Sequence, residues 1–118
     1  DTQTNKWSTL PSLKTARCGM GIAVIDDRFI WTLGQAVLGC ILSVFDTKSN
    51  LWTTSSQVFP ISIDASCVIG INHQFFVFGG LTAKRVLGNV EMIDIDKSLS
   101  STMSPMKIPR YFHSVVGF

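Results

Sequence analysis

The chain has 118 residues, of which 46% are hydrophobic and 15% charged, and its formal net charge is only +2 at pH 7. This composition favours a single folded domain and excludes intrinsic disorder. No run of Lys and Arg is present that would attract nucleic acid or an anionic membrane. The longest apolar stretch, residues 36–45, is too short to span a bilayer. We therefore expect a β-rich globular chain that binds neither nucleic acid nor membrane.

The three cysteines are widely spaced, odd in number and without a CxxC pair, and only two histidines accompany them: Cys18, Cys40, Cys67, His73 and His113. This pattern predicts buried free thiols in a reducing, cytoplasmic compartment, with no metal and no cofactor. The first residues show neither an initiator Met nor a signal peptide, which suggests that the chain was cut from something longer.

Taken in chain order, short β-patterned runs alternate with turn residues, and no helical period occurs. The predicted strands are 20–25, 29–33, 41–45, 51–54, 66–71, 75–78, 90–93 and 99–103. The predicted connections between them, rich in Asp, Asn, Ser and Gly, are 26–27, 34–39, 46–50, 72–73, 81–89 and 94–98. The chain therefore contains two groups of four strands.

The two groups are copies of one another. Residues 1–7 match 46–52 in their Asp, Asn and Trp at an offset of 45 residues, and 29–34 match 74–79 at the same offset. A fainter third copy is offset by 48 residues, as a longer surface loop permits. Four strands in every 45 to 48 residues is the pattern of propeller blades.

The landmarks of this repeat resemble the kelch motif. In that motif a strand ends in Gly-Gly, a later strand ends in an aromatic residue followed by Asp, and a Trp follows six residues on. The matching residues are Trp7, Trp52, Gly34, Gly79, Gly80, Asp46 and Asp94. The resemblance implies an all-β, kelch-type β-propeller fragment of four-stranded antiparallel blades, whose ring is not closed by this chain alone. Gln35 replaces a second glycine and Ser100 replaces a third Trp, so we expect poorer packing of the last outer strand.

The resemblance also divides residues 1–118 of this partial propeller. It assigns 1–10 to an outer strand of a preceding blade, about 17–54 to a first full blade, about 62–103 to a second, and 110–118 to an inner strand of a following blade. Blades bury their apolar faces only against neighbours. Either the chain is a fragment of a longer one, or copies assemble to complete a ring.

Two kinds of landmark have predicted packing roles. Trp7 and Trp52 are expected to be buried as wedges between neighbouring blades, because aromatic rings contribute much of the buried area of a core. Asp46 and Asp94 are expected to bond turn backbone rather than to act as acids.

The longest predicted connections share one face, because strand direction alternates within a blade. They are 35–40 and 81–89, together with the inter-blade linkers 10–17, 55–65 and 104–112. This face is the expected binding face. The candidate partner-binding residues on it are Arg17, Arg110, Tyr111, Lys84, Arg85 and Asn89.

An Arg, Tyr and Asn lining suits an acidic peptide or loop, because guanidinium pairs bidentately with carboxylate. Resemblance to BTB–kelch adaptors implies that Arg17 and Arg110 line a substrate pocket. In the alternative, these two arginines bond loop carbonyls, and Lys84 and Arg85 merely solvate their loop.

No catalytic residues are predicted. The sequence has no GxSxG and no phosphate-binding loop, Glu91 is its single glutamate, and His73 and His113 fall on opposite faces. The first hypothesis is a non-enzymatic protein–protein interaction module. Residues 4–11 followed by Ala16-Arg17 resemble kelch-like adaptors that recognise substrates for cullin-type ubiquitin ligases. The alternatives are an actin-associated kelch scaffold and a fragment of a kelch-fold enzyme.

Overall fold

The computed structural model describes residues 1–17, 19–37, 39–61 and 63–117, and within these the regular structure is entirely β. The strands are β1 Gly21–Ile25, β2 Phe29–Ala36, β3 Gly39–Asp46, β4 Leu51–Phe59, β5 Cys67–Ile71, β6 Gln74–Phe78, β7 Val90–Asp94 and β8 Leu99–Met103. They form two antiparallel four-stranded sheets, β1-β2-β3-β4 and β5-β6-β7-β8. The predicted all-β fold and strand order are confirmed. No helix capable of crossing a membrane occurs in this described part.

Left-handed turns close the inner hairpin of each sheet. The φ angles are 55° and 49° at Asp26 and Asp27, and 47° and 61° at Asn72 and His73. Most residues avoid this conformation, whereas Asn and Asp are enriched in it. Two consecutive left-handed residues also match the twist of a two-residue hairpin loop, which is the length of the second turn. Both predicted turns are confirmed.

The predicted connection 34–39 is wrong. β2 continues through Gln35 to Ala36, and these residues pair with Cys40 and Gly39 of β3. Gly39 has a φ of 147°, and a Cβ added there would collide with the carbonyl of Phe59. The glycine therefore serves a tight hairpin next to another chain segment, and 35–40 is not one of the long loops.

β4 is longer than predicted, ending at Phe59 rather than at residue 54. Its pairing with β3 shifts, because Ile41 faces Val58 whereas Ser43 faces Thr54. Residues 55–57 lie opposite the single residue Leu42, so two extra residues form a bulge that breaks the alternation of side chains. The predicted loop 55–65 is shortened accordingly.

The hydrophobic core lies between the two sheets. The inner strands β1 and β5 approach closely, with Gly21 against Val68 and Gly70 against Ala23. Glycine permits this approach because it has no side chain. The linker after β4 adds further apolar side chains to the same space. The buried cluster comprises Ala23, Leu33, Cys40, Leu42, Phe59, Ile61, Ile63, Phe75, Val77 and Ile93.

The N-terminal segment covers part of the first sheet on the side facing away from the second. The indole Nε1 of Trp52 donates a hydrogen bond to the carbonyl of Pro11 at 2.7 Å, and its ring lies 5.2 Å from that of Phe45. Trp7 is fully exposed. Neither tryptophan lies between the two described sheets, and their role as wedges against other neighbouring blades stays a prediction. The side chains that fill that space are those of the buried cluster, and no described residue covers Trp7.

The segment after β8 folds back along the second sheet. Main-chain hydrogen bonds join Gly80 N to Arg110 O (2.8 Å), Arg110 N to Leu87 O (3.0 Å) and Met106 N to Gly88 O (2.8 Å). A Cβ at the left-handed Gly79 would collide with the carbonyl of Arg110. The double glycine is thus required where this segment crosses the sheet. Residues 1–10 and 110–117 contain no strand, and their assignment to neighbouring blades stays a prediction.

Asp46 and Asp94 hold turn backbone, as predicted. Asp46 accepts the N–H of Lys48 at 2.9 Å, and Asp94 accepts that of Lys97 at 3.0 Å. Arg28 also binds Asp46 through two nitrogens, at 2.7 and 2.6 Å. These hydrogen bonds to Arg28 lower the pKa of Asp46, and the bond from the Lys97 N–H lowers the pKa of Asp94.

Candidate protein-binding surface

The loop between β6 and β7 projects two basic side chains. A bridge between Leu81 and Val86 closes the loop, and the hydroxyl of Thr82 accepts the N–H groups of Lys84 and Arg85 at 3.4 and 3.2 Å. Both basic residues are exposed. Local hydrogen bonds therefore fix the backbone of this tip while its two charges face solvent.

The segment after β8 lies beside this loop, to which its main chain is bonded. Its exposed residues include Lys107, Arg110, Tyr111 and Phe112, with Phe112 83% exposed. The rings of Tyr111 and Phe112 lie 5.5 Å apart. We call the resulting surface the basic–aromatic patch; it comprises Lys84, Arg85, Lys107, Arg110, Tyr111 and Phe112.

The patch itself has no carboxylate, although the exposed Asp64 lies beside it and accepts the N–H of Leu81 through its carbonyl at 2.8 Å. Residues 80–89 and 104–112 carry four Lys and Arg and no Asp or Glu. Among the described residues, none of these four cations takes part in an ion pair. Exposed Arg and Tyr are enriched where proteins bind other proteins. The candidates from the sequence include four of the six members and lack Lys107 and Phe112. The signal for Phe112 is a bulky apolar side chain in a surface loop.

The two other candidate residues, Asn89 and Arg17, lie outside the patch. Asn89 is exposed, and its carbonyl accepts the N–H of Gly79 at 2.8 Å, so its backbone anchors the base of the loop. Arg17 is on the first sheet: its Nη1 donates to the carbonyl of Ile41 at 3.2 Å, and its chain covers Gly34. Gly34 thus makes room for an arginine and does not repeat the turn of the second sheet. The structure favours the structural alternative for Arg17, whose binding role stays a prediction.

Replacing Arg17 with Ala should lower the free energy of unfolding by about 1 kcal/mol, because a half-buried hydrogen bond and the cover over Gly34 are lost. Arg110→Ala should change it by less than about 0.5 kcal/mol, since that side chain is exposed. Urea unfolding followed by tryptophan fluorescence measures both. Equal effects of the two substitutions would contradict the structural role of Arg17.

The opposite, short-turn face contains a cluster that the sequence reasoning missed. The ring of His73 lies between Asp26 of the first sheet and Asp96 of the second. The available signal was the Asn-His turn in the position that corresponds to Asp26-Asp27. His113 lies elsewhere, against Gly79, so the two histidines are separate, as expected.

Metal-binding and reactive groups are sparse. No set of three His, Cys, Asp or Glu side chains within the described ranges could hold a metal ion. Cys40 and Cys67 are free thiols, and burial raises the pKa of Cys40 to about 12. Such a thiol is poorly reactive. The predicted thiol Cys18 lies outside the described residues.

Comparison with known proteins agrees with this architecture. No protein-family profile matches the chain. Kelch-like protein 41 of Mus musculus is 30% identical over 87 residues, which are 70% of this chain and 14% of that protein. The solved structure of YjhT, a kelch β-propeller, superposes with a TM-score of 0.76 and 19% identity, covering 94% of this chain and 34% of that one. The chain therefore spans only a minor part of either protein.

Proposed function

Because the chain is part of a kelch-type β-propeller, we propose that it is a non-enzymatic module that binds another protein through the basic–aromatic patch. The observation that carries this proposal is the group of four cations without ion-pair partners in the described structure, next to the exposed rings of Tyr111 and Phe112. A peptide or loop rich in Asp and Glu fits this surface. Its carboxylates would pair with Arg85 and Arg110, and apolar side chains would pack on the two rings.

The test is selection of displayed peptides on the immobilised chain, with an acidic and a basic library compared. We expect acidic peptides to be enriched and their affinity to fall with added salt. The combined change of Lys84, Arg85 and Arg110 to Ala should weaken binding about tenfold, since each exposed ion pair contributes about 0.5 kcal/mol. Isothermal titration calorimetry measures this affinity.

The matched control removes the same charge elsewhere. Lys6, Lys48 and Lys97 are exposed and lie outside the patch. Their combined change to Ala should alter the affinity for a selected acidic peptide by less than about twofold. Enrichment of basic peptides, or equal loss in the two triple variants, would overturn the proposal.

A finer proposal is that this binding serves an adaptor of the BTB–kelch type, which presents substrates to a cullin-type ubiquitin ligase. The similarity to Kelch-like protein 41 and the kelch-like phrase at residues 4–11 support it. The second candidate is an actin-associated cytoskeletal scaffold. Pull-down of ligase subunits and co-sedimentation with filamentous actin distinguish the two candidates. Either role would be carried out in the cytoplasm, which is the location proposed here.

The non-enzymatic character is part of the proposal. Two observations support it. His73 and His113 lie in separate places, and no set of side chains in the described ranges could hold a metal ion. The kelch-fold enzyme alternative predicts turnover of a small substrate by a longer chain, which an activity screen of that chain would reveal.

A further inference from the structure

We infer that protonation of His73 controls a contact that joins the two blades on their short-turn face. This inference is independent of partner binding, because the contact lies on the face opposite the basic–aromatic patch. His73 Nε2 lies 3.2 Å from Asp26 Oδ2 of the first sheet, and His73 Nδ1 lies 3.2 Å from Asp96 Oδ1 of the second. One imidazole thus spans the joint between the sheets.

The chemistry of imidazole makes this bridge dependent on protonation. An imidazolium has two N–H groups and can donate to both carboxylates at once, whereas neutral imidazole has one N–H and one lone pair. After deprotonation, one carboxylate must face that lone pair and is repelled. Within the second sheet, Ile95 N donates to the carbonyl of His73 at 3.0 Å and keeps Asp96 close to the ring. The contact that weakens is therefore the one to Asp26, across the two blades.

The surrounding charges do not replace this contact. Asp27 follows Asp26 and adds negative charge, while Arg28 in the same turn is bound to Asp46. In the turn after β7, Lys97 pairs with Asp94 at 3.4 Å. No other ion pair of the described residues involves the cluster, so His73 is the cation that compensates its two carboxylates.

Solvent reaches the bridge. The side chain of His73 is 42% exposed, and a cavity of about 530 Å³ opens beside it, lined by Val24 and Gly70 among others. The ring can therefore exchange its proton without unfolding. Hydrogen bonds to Asp96 and Asp26 raise the pKa of His73 above its usual 6.5.

The direction of the pH effect follows from this shift. Because the folded chain holds the proton more tightly, the added stability is complete below pH 6.5 and is lost as the pH rises through the folded-state pKa. The unfolding equilibrium constant should rise across this window by ten to the power of the pKa difference between folded and unfolded chain. Above the window, the two blades stay joined by their apolar core and by the hydrogen bond from Gln57 Nε2 to the carbonyl of Ser98 at 2.6 Å.

The first experiment is an NMR titration of the histidine Cε1–H signals of the chain from about pH 5 to 9. We expect Asp26→Asn and Asp96→Asn each to lower the proton affinity of His73 about three- to tenfold. Asp27→Asn is the matched control, since it removes a neighbouring charge without a recorded contact to the ring. An effect of Asp26→Asn no larger than that of Asp27→Asn would overturn the inference.

The second experiment compares thermal unfolding of the chain and of His73→Asn across the same pH range. Asn is chosen because it tolerates the φ of 61° at this position. The melting temperature of the chain should fall above pH 6.5, after subtraction of the His73→Asn profile. Identical profiles would overturn the inference. The Asp26→Asn profile provides the same comparison with the histidine in place.

Discussion

Phe75→Ala should lower the free energy of unfolding by about 3–5 kcal/mol, the largest effect expected for a single substitution in this chain. The ring of Phe75 is completely buried in the cluster between the two sheets. It comes from β6 and packs where side chains of both sheets and of the linker meet, so the cavity left behind cannot be filled by movement of one segment. Urea unfolding followed by tryptophan fluorescence measures the loss.

Phe112→Ala provides the control, because it removes the same atoms from a side chain that is 83% exposed. We expect a change of less than about 0.5 kcal/mol. The core assignment would fail if the two substitutions had the same effect. The pair also separates folding from function, since Phe112 belongs to the basic–aromatic patch and its loss should weaken acidic-peptide binding in a stable chain.

The strands were predictable because local pattern and turn chemistry agreed. Alternation of apolar residues and left-handed turn residues located all eight strands, and β8 was predicted with its observed bounds. The error at β4 has a clear cause: the bulge at 55–57 inserts polar residues out of phase, so the periodic pattern stops before the strand does. Ser100, which replaces the third Trp, predicted poor packing of the last outer strand, and every residue of β8 is indeed exposed.

The glycines were harder to interpret from sequence. Gly34 and Gly39 both suggested a turn, yet only Gly39 has a positive φ. Gly34 lies inside β2 and accommodates the side chain of Arg17 from a distant segment. A contact of this kind depends on where the linker crosses the sheet, which local sequence does not contain.

The candidate surface was also predictable in part. Alternating strand direction placed the long loops on one face, and four of the six proposed residues lie in the patch: Lys84, Arg85, Arg110 and Tyr111. The bridge at His73 was not predictable, because its partners come from turns of different sheets. Their approach depends on how closely β1 and β5 pack.

That close packing leads to the second large effect, expected for Gly70→Ala. A Cβ at Gly70 would collide with the Cβ of Ala23 across the two inner strands. The backbone of Gly70 is not left-handed, so the collision is the main cost. We expect a loss of about 2–3 kcal/mol in the free energy of unfolding, as overpacked cores show. Urea unfolding measures it.

A compensating change tests this explanation. Ala23→Gly alone should cost up to about 1 kcal/mol, because glycine weakens a strand. In the combined variant, Ala23→Gly with Gly70→Ala, one methyl group is moved across the same contact and the collision is relieved. The double variant should therefore be more stable than Gly70→Ala alone, with a coupling of at least about 1 kcal/mol. If the two losses simply add, the collision with Ala23 is not the cause of the loss, because β1 and β5 then move apart in Gly70→Ala without the compensating change.

The outcome also bears on the segment after the second blade. Gly117 lies against the side chains of Ile69 and Ile71, as Gly21 lies against Val68. At Gly21 and at Gly117, a glycine thus lies opposite branched side chains of β5. If the Gly70 coupling is confirmed, Gly117→Ala should repeat the loss in a longer chain in which a third blade is present, because the predicted inner strand would then be held against β5. In the 118-residue chain the same substitution should cost less than about 0.5 kcal/mol, since the segment is exposed and can move away.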